Sequence, residues 1–315
     1  MSNAQPPLGA FFDVVGRFLG VDFTRRLHGD CNGYHESSSR KFAVVGNVRN
    51  ASQLHRVIFD VMLTIIPPVH SWLLLVVFGR NDRFQALSAA IKTVEADASM
   101  QALVLQSAKP SVFSAGLDLT ELHKPDETRL RDFWGSFQQL YLDLYGSRLA
   151  CIAALEGSAP AAGCMLALSC DYRIMAATTD SYKPSIGLNE SRLGIVAPPF
   201  LARQFLDTIG QRQAELGLSL GTLYTSEQAL KIGLVDQVVT GDQVRETALS
   251  TAAEWTKIPA VARVDSKILM RGKALEELKS TRQKDVDDFV RFITSEPAQK
   301  GLSAYLEMMA KRRKK

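Results

Sequence analysis

The sequence predicts an α/β protein, and three observations carry that expectation. Short continuous apolar runs alternate with longer segments whose large apolar residues recur every three or four positions. The runs suit strands buried on both faces of a parallel sheet, and the recurrent segments suit helices packed over it. From about residue 242 to the end the pattern is helical throughout, so a helical region closes the chain. With 315 residues the chain can bury one large core and still carry such a region.

The elements justify this in order. Residues 1–40 read as an N-terminal extension, residues 41–240 as the core and residues 241–315 as a helical oligomerisation region. Within the extension, Phe11-Phe12-Asp13-Val14-Val15-Gly16-Arg17-Phe18-Leu19 has amphipathic character, and Arg25-Arg26 and Ser37-Ser38-Ser39-Arg40 follow. Organelle-targeting peptides share these features. Asp13, Asp22, Asp30 and Glu36 argue against targeting, and a loosely docked extension is the competing expectation. Phe42-Ala43-Val44-Val45 and residues 57–66 are rich in β-branched residues and read as strands, the second stopped by Pro67-Pro68. Phe84, Leu87, Ile91 and Val94 mark a helix, and Ala102-Leu103-Val104-Leu105 a buried strand. Leu130, Phe133, Trp134, Phe137, Leu140, Tyr141 and Leu144 form a helical stripe that suits a core, or equally the cover of an acyl chain.

Residues 151–157 read as another buried strand and 171–175 as the next. Thr225-Ser226-Glu227-Gln228-Ala229-Leu230 starts a short helix that Gly233 breaks, and residues 234–239 return as a strand. Val286, Phe289, Val290 and Ile293, then Leu302, Tyr305, Leu306 and Met309, mark two amphipathic helices.

Composition narrows the function. The chain is 46% hydrophobic and 22% charged, with a net charge of +4. Lys311-Arg312-Arg313-Lys314-Lys315 carries five positive charges, so residues 1–310 sum to −1 and have no overall pull toward nucleic acid. Cys31, Cys151, Cys164 and Cys170 form no CxxC pair and read as reduced residues, with no metal site expected. The apolar runs are too short to span a bilayer.

Three stretches carry chemistry. In Phe113-Ser114-Ala115-Gly116-Leu117-Asp118-Leu119, small residues let the backbone approach a ligand, although a plain tight turn would look the same. Ser158-Ala159-Pro160-Ala161-Ala162-Gly163-Cys164 leads into a small-residue helix whose first N–H groups lack intrahelical partners and suit an anion or oxyanion. Residues 186–195 hold one carboxylate, Glu190, near Leu188, Leu193 and Ile195. Such a glutamate is paired, solvent-facing, or kept desolvated for proton transfer.

These stretches, with Cys170-Asp171-Tyr172-Arg173-Ile174 and Gly233-Leu234-Val235-Asp236-Gln237-Val238-Val239, resemble the enoyl-CoA hydratase/isomerase (crotonase) family, in order and at compatible spacing from about residue 57 to 310. Within it the chain looks most like the Δ3,Δ2-enoyl-CoA isomerases, through Ser-Ala-Gly-Leu-Asp-Leu and Gly-Leu-Asn-Glu. The resemblance implies a spiral of ββα units, a homotrimer or dimer of trimers, and an acyl-CoA thioester substrate that itself carries the CoA, so that no separate cofactor is expected. It also implies roles. The N–H groups of Leu117 and Ala162 would form an oxyanion hole. Ala115, Gly116, Leu117, Asp118, Leu119, Ala162 and Asn189 would line the substrate, and Glu190 would be the catalytic acid/base. In hydratases of the family a first glutamate follows the cysteine of the glycine-rich motif; here that position is Met165, which cannot move a proton.

The expected activity is therefore isomerisation of 3-enoyl-CoA to 2-trans-enoyl-CoA in fatty-acid β-oxidation. Hydration, another crotonase reaction, or a non-catalytic scaffold binding RNA through the basic tail are the alternatives. The mitochondrial matrix is the expected location, with the peroxisome as alternative; Arg313-Lys314-Lys315 is not a Ser-Lys-Leu ending. Three departures from the family pattern stand out. Ala162 replaces a glycine and adds a methyl near the thioester. Residues 70–83, where His70 replaces an asparagine, form an apolar segment that suits core or an insertion better than a CoA contact. Tyr182-Lys183-Pro184 lengthens a loop, leaving Lys183 as a solvated lysine or a CoA-phosphate contact.

Overall fold

The structure is a computed structural model that describes residues 71–75, 80–107, 109 and 111–313, with the backbone alone at 71–75 and 312–313. The N-terminal extension, the expected strands at 42–45 and 57–66, His70 and the last two lysines lie outside the described residues.

In chain order the elements are β1 (Ser71–Leu75), α1 (Asn81–Ala96), β2 (Ala102–Gln106), α2 (Glu127–Tyr145), β3 (Ala150–Leu155), β4 (Ala159–Pro160), α3 (Ala162–Ser169), β5 (Tyr172–Ala176) and β6 (Ser185–Gly187). A 3-10 turn (Glu190–Leu193) follows, then α4 (Pro199–Ile209), α5 (Gln211–Leu220), β7 (Tyr224–Thr225), α6 (Ser226–Lys231), β8 (Gln237–Val239), α7 (Val244–Thr256), α8 (Ala260–Ile293) and α9 (Glu296–Arg313). The order is that of an α/β protein closed by helices, as the sequence predicts.

The main sheet runs β1-β2-β3-β5-β8 with every pair parallel. β2 and β3 are buried along their whole length, which is why they read as unbroken apolar runs. Their residues divide by the strand period of two. Leu103, Leu105, Cys151, Ala153 and Leu155 join the large core beneath α1 and α2. Ala102, Val104, Ala150, Ile152 and Ala154 face a smaller cluster that α7 covers with Val244, Ala248 and Ala252. The predicted stripes of α1 and α2 are buried at Phe84, Leu87, Ile91 and Val94 and at Leu130, Phe133, Trp134, Phe137, Leu140, Tyr141 and Leu144. Asp126 caps α2 by accepting the N–H of Arg129 at 2.9 Å.

The apolar segment around residue 75 belongs to the sheet. β1 pairs with β2 from Ser71 opposite Ala102 to Leu75 opposite Gln106.

A second, three-stranded sheet positions the candidate site. β4 pairs with β6 in parallel, and β6 with β7 in antiparallel. The helical end is anchored to the main sheet by charge: Asp171 at the start of β5 meets Lys267 at 2.7 Å and Arg271 at 2.9 Å, both from α8. Among the described residues no helix is long and apolar enough to cross a membrane.

Candidate active site

Three backbone turns build the site. The first runs from Ser114 to Leu119. Gly116 has φ +87°, a conformation that favours glycine, and a Cβ added there would lie 3.2 Å from the Ala161 Cβ and 3.7 Å from the Ala162 nitrogen. Gly163 explains the reverse contact: a Cβ on it would meet the Ser114 carbonyl oxygen at 2.9 Å. The two proposed oxyanion segments therefore lie directly against each other. Leu117 and Leu119 pack partly on the large core. The Asp118 carboxylate instead holds its own turn, accepting the Thr120 N–H at 3.0 Å and the Thr120 hydroxyl at 2.7 Å. Ala115 is exposed.

The second turn starts α3. Its N-cap is Ala161, with φ +51° and ψ −119° and no side-chain cap. Alanine offers no oxygen to the first-turn N–H groups, so the helix start presents donors to whatever binds there. The added methyl of Ala162 does not strain the backbone as its replacement of glycine suggests: the positive φ falls one residue earlier, on Ala161. Such a conformation in a non-glycine residue typically costs about 1–3 kcal/mol, and strain of this kind concentrates at functional sites.

The third turn carries Glu190. Ala161 N–H donates to the Gly187 carbonyl at 2.8 Å, extending the β4–β6 ladder, and Glu190 follows three residues later at the head of the 3-10 turn. The turn closes on Gly194, left-handed at φ +75°. Glu190 is 9% exposed, and its Oε2 is buried without a hydrogen-bond partner. Burial pushes its carboxyl up to about 7, partly offset by its own backbone N–H. No neighbouring cation or second carboxylate is among the groups that set this shift. Cys164, two residues into α3 from Ala162, feels the Glu190 charge; burial first, then that charge, pushes its thiol up. Glu190 is thus brought near the start of α3.

Two further residues complete the picture. The Asn189 side-chain oxygen is buried without a partner, beside the Glu190 oxygen in the same condition. Each such unpartnered acceptor typically costs about 1–3 kcal/mol and calls for a partner from outside the chain. Met165 is fully buried, its carbonyl accepting the Ser169 hydroxyl at 2.8 Å. Lys183 is exposed, while the neighbouring Tyr182 hydroxyl donates to the Ser111 carbonyl at 2.8 Å. Cys151, Cys164 and Cys170 are free and buried. Among the described residues no three His, Cys, Asp or Glu side chains gather as a metal site.

The sequence located Glu190 and both turns. It missed the strain at Ala161, because an alanine gives no hint of positive φ. It also missed the contacts of α9 with Lys124 and with the Glu190 turn, both more than 100 residues away along the chain.

A small-residue turn packed on an uncapped helix start, with a desolvated carboxylate on the next turn, is the arrangement expected of a class of proteins that stabilise an enolate while moving a proton beside it. The family model described as Enoyl-CoA hydratase/isomerase matches residues 81–314, beginning at the first residue of α1, and the chain belongs to that family. It is 44% identical over 224 residues to the mitochondrial enoyl-CoA delta isomerase 1 of Rattus norvegicus, covering 71% of this chain and 76% of that protein. The crystal structure of human mitochondrial delta3-delta2-enoyl-CoA isomerase superposes with a TM-score of 0.77 and 39% identity, over 80% of this chain and 98% of that one. The mitochondrial methylglutaconyl-CoA hydratase of Mus musculus is 26% identical over 217 residues, covering 64% of this chain and 68% of that protein.

Proposed function

We propose that this chain is a Δ3,Δ2-enoyl-CoA isomerase of fatty-acid β-oxidation, converting 3-enoyl-CoA to 2-trans-enoyl-CoA with Glu190 as the single acid/base. Moving the double bond requires a proton removed at C2 and one delivered at C4, through a dienolate with its charge on the thioester oxygen. The N–H groups of Leu117 and Ala162 stabilise that oxygen; losing one such donor typically costs ~2.7–4 kcal/mol. Glu190 takes the C2 proton and returns it at C4, and its raised proton affinity suits it to both steps near neutral pH. Ala115, Gly116, Asp118 and Leu119 shape the turn against which the thioester lies, and Asn189 offers its orphaned amide to the substrate.

The observation that carries this reading is a carboxylate with no carboxylate partner. Hydration is helped by a second one, and Met165 occupies its place inside the core. The 44% identity to an isomerase, against 26% to a hydratase, points the same way. The test is Glu190→Gln: it keeps the fold and abolishes conversion of 3-enoyl-CoA, and an undiminished rate would sink the assignment. Parallel assays of 2-enoyl-CoA hydration separate the runner-up, which requires hydration to rival isomerisation.

The working unit we propose is a homotrimer or a dimer of trimers. Val261, Ile268, Leu269 and Met270 lie exposed along the first half of α8, the last two at 82% and 80%, an apolar stretch that another copy would cover. A monomer in sedimentation at micromolar concentration would overturn this. The mitochondrial matrix is the proposed location, supported by the mitochondrial relatives; a tagged full chain sorting to peroxisomes would contradict it.

A further inference from the structure

The C-terminal helix touches the Glu190 turn and the end of the loop that follows the Ser114–Leu119 turn, and the reaction chemistry by itself gives no reason for it. On one side, Gln299 Oε1 accepts the Lys124 backbone N–H at 2.8 Å, while its Nε2 donates to the Leu122 carbonyl at 2.9 Å and the Ile293 carbonyl at 2.7 Å. Ser303, one helical turn on, places its hydroxyl 2.9 Å from His123 Nε2 and donates to the Gln299 carbonyl at 2.8 Å. Residues 122–124 end the loop that begins at the oxyanion motif. Leu122 and His123 N–H both bond back to the Leu119 carbonyl, at 3.2 and 3.0 Å, so the loop is one hydrogen-bonded turn. Lys124 is held there at φ +48°.

On the other side, Gly301 seats the Glu190 turn. A Cβ added to it would lie 2.9 Å from the Leu193 carbonyl oxygen and 3.6 Å from the Gly194 Cα. That turn is itself closed by Gly194 N–H to the Ser191 carbonyl at 3.2 Å and Ile195 N–H to the Glu190 carbonyl at 3.3 Å. Glycine inside a helix weakens it relative to alanine, so its presence calls for a reason, and close backbone approach supplies one. Ala298 and Leu302, buried in the large core, fix the rotation of α9 between the two contacts.

We infer that α9 is a positioning element of the active site, setting the Leu117 oxyanion loop against the Glu190 turn through Gln299, Ser303 and Gly301. This rests on the reading of Glu190 as the base. None of the three residues touches reacting atoms; they act through the turns they hold.

Gly301→Ala in the full chain tests it. The new methyl pushes the Glu190 turn outward by a few tenths of an ångström, and since misplacement by about 1 Å can cost about 10²-fold, kcat is expected to fall ~10-fold. KM for enoyl-CoA stays within about twofold, and Tm falls modestly, the contact with the Leu193 carbonyl outweighing the better helix propensity of alanine, so kcat is compared per folded molecule. Gln299→Ala should also lower kcat more than it raises KM, and Gln299→Glu, whose carboxylate accepts from Lys124 but cannot donate to the Leu122 and Ile293 carbonyls, should not restore it. Wild-type kcat in both Gly301→Ala and Gln299→Ala overturns the inference. So does a loss that only tracks the folded fraction, because then α9 merely stabilises. Glu190→Gln is the control. If it turns over at the wild-type rate, the base assignment fails whatever α9 does. If it is dead while Gly301→Ala keeps full kcat, the role of α9 fails alone.

Discussion

Asp171 and Glu190 are carboxylates buried in opposite ways. The Asp171 side chain is 4% exposed and meets Lys267, Arg271 and the Cys151 N–H, the last at 2.8 Å. Lys267 also donates to the Ser147 and Leu149 carbonyls, and Arg271 stacks over the Tyr145 ring at 4.4 Å. Glu190 is nearly as buried, yet its Oε2 meets nothing and no cation answers it. A fold buries a charge safely only by pairing it. Asp171 follows that rule and joins α8 to the sheet; Glu190 breaks it and gains proton affinity near neutral pH. Burial alone does not distinguish a structural carboxylate from one with raised proton affinity; the partners do.

The contrast can be broken most severely at Glu190. Glu190→Gln should lower isomerisation by about 10²–10⁴-fold or more, the usual worth of general acid–base participation, while thermal unfolding shows a folded protein. Asp171→Ala should do the reverse. Removing one partner of a buried ion cluster typically costs about 3–5 kcal/mol, so denaturant unfolding shifts strongly while kcat per folded molecule stays near wild type. A variant that kept stability but lost kcat would erase the distinction between the two sites.

The pH dependence sharpens the comparison further. The folded-state proton affinity of Glu190 is raised, so between about pH 4.5 and 7 the folded protein binds more protons than the unfolded chain. Its contribution is therefore fully present below about pH 4.5 and is lost as pH rises through about 7, on the order of 3 kcal/mol. Glu190→Gln should remove that slope from a plot of unfolding free energy against pH and be the more stable protein at the alkaline end. The smallest effect is expected at Ala161. Ala161→Gly relieves the positive φ and should change stability by only about 1 kcal/mol, because the glycine also loosens the unfolded chain. A large loss of kcat there would show that the strain itself aims the α3 donors.

The same contrast explains what the sequence could disclose. β2 and β3 were legible because both faces of each strand are buried, which forces unbroken apolar runs. The α2 stripe was legible because one face meets the core at helical spacing. Glu190 stood out only beside the two small-residue turns, since the residues around a desolvated carboxylate look like any apolar stretch. The Asp171 cluster was invisible, because its partners stand 96 and 100 positions away on α8 and pair only in three dimensions. Gln299 and Gly301 were hidden for the same reason. The register of β1 against β2 likewise follows from pairing between distant segments, which no local pattern encodes.

The central claim is that Glu190 works as a lone base whose proton affinity is raised by burial. The most direct test is kcat/KM for isomerisation of 3-enoyl-CoA from about pH 5 to 9, with Glu190→Gln alongside. The wild type should show an acid limb with an apparent pKa near 7, and the variant a rate at least about 10²-fold lower with no such limb. A limb in the ordinary carboxylate range, or a variant that isomerises within about tenfold of the wild-type rate, would contradict that claim.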